Sequence, residues 1–80
     1  MAGKTGREDP YKPLRLLILG TMALRGESAT SLAPRMGYSR QTVSSRLRCP
    51  ETLTLRELRL LAALLGIAPE EILGKIPMKH

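Results

Sequence analysis

An all-α fold is what this sequence predicts, on three observations. No run alternates Val, Ile, Thr or aromatic residues with polar ones, so the signature of a strand is missing throughout. Glycine and proline instead punctuate segments whose apolar residues recur at helical spacing. The chain has 80 residues, enough for one domain. A domain of this size buries only about 60 to 65 per cent of its unfolded surface, which tightly packed helices of Leu, Ile, Val and Ala make sufficient.

Residues 1–12, MAGKTGREDPYK, mix glycine, proline and charge without periodicity and read as a flexible basic arm. Within the arm, Lys4, Arg7 and Lys12 are candidates for touching phosphates, with an idle tail as the equal alternative. The Gly3-Lys4-Thr5 triplet lacks the preceding strand and the glycine cradle of a P-loop. Pro13 or Leu14 opens a first helix, LRLLILGTMALR, that stops near Gly26 and serves as the central core helix. Its apolar run is too short to cross a bilayer. Glu8, Asp9 and Arg25, with no A-x-A site, argue against reading it as the core of a signal peptide.

Leu32, Ala33 and Met36 share one face of a second helix, which Gly37 ends at the position that tolerates positive φ. Ala33 is small because two helices joined by a turn of three or four residues cross closely. Pro34 removes a backbone hydrogen bond unless the N-cap is as late as Ser31, which predicts a short or kinked helix. Tyr38 is expected to plug the junction as a core residue, and Ser39 to cap a third helix whose Val43 and Leu47 face inward. The Cys49-Pro50 pair ends that helix, since a residue before proline is pushed toward extended backbone. Thr54 and Glu57 form a capping box that launches a fourth helix with Leu55, Leu58, Leu61, Ala62 and Leu65 on its apolar face, ending at Gly66. Pro69, with Glu70 and Glu71 beside it, starts a last short helix holding Ile72 and Leu73. Leu60, Leu64 and Ile76 are left over, either as further core or as a homodimer surface on the C-terminal helices. The folded unit is therefore expected over 13–76, with 77–80 as a tail.

The third helix carries the functional signal. Arg40, Ser44 and Arg48 lie in one i, i+4, i+8 row, with Gln41 and Ser45 beside it, and no acid stands among them. Arg reads guanine and Gln reads adenine in the major groove, and Ser donates or accepts. A merely solvated polar face is the bland alternative. Against it stands the distribution of charge: residues 1–50 hold nine Lys and Arg against three acids, whereas residues 51–80 hold four of each, so the whole net charge of +6 lies in the first part. Four arginines and no acid fall between Arg35 and Arg48. Single-stranded nucleic acid is the weaker match, because that mode stacks bases on aromatics and the chain has only Tyr11 and Tyr38.

The run Leu32-Ala33, Met36-Gly37-Tyr38-Ser39-Arg40 and Thr42-Val43-Ser44 resembles the phage repressor and Cro family of helix-turn-helix proteins, also called XRE type. Arg46-Leu47-Arg48, the run from Leu53 to Leu58, and Ala63-Leu64-Leu65-Gly66-Ile67 look like a variant found in prophage and actinobacterial regulators. The resemblance spans roughly residues 14 to 74. It implies a compact five-helix bundle, a recognition helix over 39–48, and operator binding, often as a dimer on a pseudo-palindrome. The chain departs from the pattern at Arg46, where relatives usually carry an apolar residue, at Pro34, and at Cys49-Pro50, where many carry a glycine.

Taken together, these features point to a sequence-specific double-stranded DNA-binding regulator, repressor-like and cytoplasmic. Arg40, Gln41, Ser44 and Ser45 are expected to read bases, and Thr30, Ser39, Thr42, Arg46 and Arg48 to hold phosphates. A protein-interaction module or antitoxin on the same scaffold is the alternative, its basic face meeting an acidic partner. One His and one Cys make no metal cluster, and no Ser or Cys has a His partner on a rigid element, so the expectation is no enzyme, no cofactor and no small-molecule ligand. Cys49 is expected to be a reduced intracellular thiol.

Overall fold

A computed structural model describes residues 9–77. Its helices are α1 (Lys12–Arg25), α2 (Ala29–Met36), α3 (Arg40–Arg48), α4 (Leu55–Leu65) and α5 (Pro69–Leu73), with a 3-10 turn at Pro50–Thr52 between α3 and α4. Five α-helices and no strand occur among the described residues, as the sequence predicts.

Each helix starts and stops for a local reason. Tyr11 stands at the N-cap of α1 with Pro13 in the first turn, where a missing N–H costs nothing. The start is fixed from outside by Asp9, whose carboxylate accepts from the Tyr11 N–H at 3.0 Å and pairs with Arg15. The hydrogen bond from Arg15 holds the Asp9 carboxyl below its ordinary pKa. This corrects the extent of the arm expected over 1–12: Asp9 to Lys12 are built into the start of α1, and Tyr11 packs against the core. Lys4 and Arg7 lie outside the described residues.

Ser28 caps α2, accepting from the Ser31 N–H while the Ser31 hydroxyl accepts from the Ser28 N–H. The cap is thus three residues earlier than a strain-free Pro34 would require, and Pro34 lies inside the helix. The cost stays small because Pro34 is exposed and the helix ends two residues later, at Met36. Gly37 takes φ 79°, a left-handed value that a side chain resists, and turns the chain toward α3. The predicted capping box at Thr54 and Glu57 is present, and Gly66 caps the far end of α4.

The core is continuous across all five helices: Leu14, Ile18 and Met22 from α1, Leu32 and Ala33 from α2, Val43 and Leu47 from α3, Leu58, Leu61, Ala62 and Leu65 from α4, and Ile72 from α5. Leu53 and Ile67 fill it from the connections. Helix α2 packs most extensively on α3, α1 lies against α3 and α4, and α4 also meets α2 and α5. Leu55 departs from the face assigned to it. Standing at the first position of α4, it has no turn before it to lean on and is exposed, as is Leu73, which lines the same groove. No helix of the described residues is long and apolar enough to cross a membrane.

Candidate nucleic-acid interface

Helix α3 is short and strongly polarised. Ser39 adopts extended backbone at its N-cap, and its hydroxyl oxygen accepts from the Thr42 N–H at 3.2 Å while donating to the Thr42 hydroxyl at 3.0 Å. Val43 and Leu47 are buried against the other helices. At 100° per residue those two place Gln41 and Ser45 at the crest of the outward face, with Thr42 and Arg48 on its slopes. Gln41, Ser45 and Arg48 are all exposed.

Ser44 stands on the edge turned toward α1, and Arg40 precedes it by one helical turn in the same row. Arg40, at the first position of the helix, remains exposed. Ser44 is half-buried and lines a shallow groove of about 440 Å³ with Leu19, Ala23, Leu47 and Arg48. The row of Arg40, Ser44 and Arg48 is thus inclined toward the groove, and Gln41 and Ser45 form the more prominent row. Thr30 is exposed in the first turn of α2.

Arg46 occupies the opposite edge, and its place is not foreseen from the sequence. Its guanidinium donates to Glu57 Oε2 at 2.5 Å and lies over the Tyr38 ring, 5.2 Å from the centroid. The Tyr38 hydroxyl donates to the same carboxylate oxygen. Glu57 Oε1 accepts from the Thr54 N–H at 2.9 Å. Glu57 is only 6% exposed, the one charged residue that is buried among the described residues. Burial pushes its carboxyl up, but hydrogen bonds from Tyr38, the Thr54 amide and Arg46, with the Arg46 charge, bring it down to about 2. The same partner raises the pKa of Arg46.

One carboxylate therefore ties the turn, the C-terminal half of α3 and the start of α4 together. Tyr38 is the second correction. It is 37% exposed rather than a core plug, because its hydroxyl and ring face are spent on Glu57 and Arg46 at the surface. The capping box marks Glu57 from sequence, but its partners are 11 and 19 residues away, beyond local spacing rules.

Leu60, Leu64 and Ile76, the candidates for a dimer surface, are all half-buried, and Leu64 and Ile76 pack against the core. No group of three or more metal-ligating side chains occurs among the described residues.

Two short helices joined at a left-handed glycine, the second of them presenting a polar, acid-free outer face, define a helix-turn-helix protein. A family model described as the Cro/C1-type HTH DNA-binding domain matches residues 18–77, and the chain belongs to that family. Neither the curated proteins nor the solved structures compared with it include a match.

Proposed function

We propose that the chain is an operator-binding transcriptional regulator that lays α3 in the major groove of duplex DNA. The observation that carries this reading is the exposed face of α3, with Gln41 and Ser45 at its crest, Arg40 exposed at the helix N-terminus, and no acid on the helix. In this docking Gln41 and Ser45 reach base edges from the crest, and Arg40 and Ser44 read from the side nearer α1. The helix N-terminal end enters first, which gives Arg40 and Gln41 the deepest contacts. Thr30, Ser39, Thr42 and Arg48 hold the phosphates that flank the groove. Arg46 stands at the same rim, but its first duty is to Glu57, so it acts by holding α3 in place. Lys12, at the start of α1, is free to meet a phosphate only if DNA passes that end of the helix.

The decisive comparison is a gel shift with the DNA upstream of the encoding gene against random competitor. Preference by three orders of magnitude or more is the scale of specific recognition and is the expected result. Equal retention of both DNAs refutes sequence-specific reading. Complete absence of DNA binding leaves a protein-interaction role on the same scaffold.

A further inference from the structure

Four arginines fall between Arg35 and Arg48, but the fold does not leave all of them free. Among the described residues Arg40 and Arg48 have no ion pair, whereas Arg35 and Arg46 are each engaged by an acid from outside the run. The Arg35 pair, with Glu27 at 3.0 Å, is open to solvent, which weakens such a contact. Arg46 is held differently. Its partner Glu57 is buried, accepts from it at 2.5 Å, and the Tyr38 ring lies against the guanidinium. Out of water the attraction is stronger, and a buried carboxylate that lost its cation would be left uncompensated.

Arg46 nevertheless stands where a phosphate contact would be made. It follows Thr42 by one turn and the Ser39 cap by two, so the three share the edge of α3 to which phosphate contacts are assigned, and it is only half-buried.

We propose that Glu57 is a positioning residue for DNA discrimination: it withholds Arg46 from the phosphate backbone and uses it to fix α3. The inference rests on the major-groove reading of α3 and names what sets the balance between its two kinds of contact. Phosphate contacts attract every duplex alike, and base contacts discriminate. A neutralised arginine releases no counterion, so the edge of α3 at Arg46 adds nothing to sequence-independent binding. The same clasp keeps α3 at a fixed setting, which base contacts need and backbone contacts tolerate losing.

The test is Glu57→Gln in the full chain. Gln keeps an oxygen to accept from the Thr54 amide but puts an NH2 donor where Oε2 accepted from Tyr38 and Arg46. Two donors then face each other, and Arg46 turns out toward the edge it shares with Thr42. Titrations on random duplexes are expected to show a salt slope steeper by about one and binding about three- to tenfold tighter at moderate salt. Preference for the DNA upstream of the encoding gene falls at the same time, whereas loss of structure alone weakens both kinds of binding. Adding Arg46→Leu to Glu57→Gln returns the random slope to the wild-type value and leaves the preference low. Glu70→Gln, an exposed acid on α5, adds the same charge, frees no arginine, and changes neither. Each variant is checked for folding by circular dichroism.

The proposal is overturned by a random-duplex slope in Glu57→Gln no steeper than wild type, by an equal rise in Glu70→Gln, or by a rise that survives Arg46→Leu. The double variant buries no unpaired charge and decides the matter where Glu57→Gln does not fold: a slope equal to wild type supports the proposal, and one lower by about one places Arg46 on a phosphate already and overturns it. Wild-type chain that binds no duplex overturns the major-groove reading and this inference together. Every other contrary result leaves that reading standing and overturns this inference alone.

Discussion

Glu57 is the residue on which the geometry of α3 depends. Its carboxylate is buried, carries its charge, and satisfies donors from three segments: the turn, α3 and the start of α4. Because its folded pKa lies at about 2 against an ordinary 4.5, its contribution to stability is fully present above pH 4.5 and is lost as pH falls from there toward 2. Glu57→Gln removes that pH-dependent part. Thermal melts at pH 7, 4 and 2.5 are expected to show a variant less stable at neutral pH by about 1–3 kcal/mol whose deficit shrinks toward pH 2. A constant deficit across the series contradicts the assignment. On the outer face the predictions separate by role. Gln41→Ala is expected to relax discrimination at a single base pair by about 1–3 kcal/mol, while Arg48→Ala weakens all sequences alike and lowers the salt slope by about one. Titrations on matched, singly substituted and random duplexes at several salt concentrations measure both.

At the scale of elements, caps and turns set where the reading helix begins. Gly37→Ala forces a side chain into left-handed backbone and is expected to cost about 1 kcal/mol, read as a lowered melting temperature. Ser39→Ala removes the oxygen that accepts from the Thr42 amide and is expected to cost a similar amount. Specific binding should suffer more than random binding in both variants, since each loosens α3 at its entry point. These elements were legible because their causes are local: Gly37, Ser39 and the Thr54–Glu57 box each act within four residues. Pro34 predicts a short or kinked helix, and α2 has only eight residues; its cap at Ser28 rather than Ser31 follows because the reciprocal bonds of those two serines outweigh one lost hydrogen bond in an exposed last turn. Leu55 misled because periodicity assigns a face but not whether a neighbour covers it. Arg46 and Tyr38 lay beyond reach, since pairing them with Glu57 requires knowing that α3 and α4 come together after the Pro50–Thr52 turn.

At the scale of the molecule, a small core holds a charged face in place. Leu32 and Leu61 have no exposed surface, and Leu61→Ala is expected to destabilise by about 2–5 kcal/mol, enough to unfold a marginal domain of this size. The excess positive charge sits in the first fifty residues, on the side of the chain that contains the turn and α3, while the later helices are neutral in sum. In the proposed function core and charge divide the labour: α1 and α4 position α3, and α3 reads. The most direct test is selection of the wild-type chain against a pool of random-sequence duplexes. A single enriched motif is predicted, with loss of preference at one position for Gln41→Ala. A pool that stays unenriched while the protein remains folded and binds all duplexes equally contradicts the account.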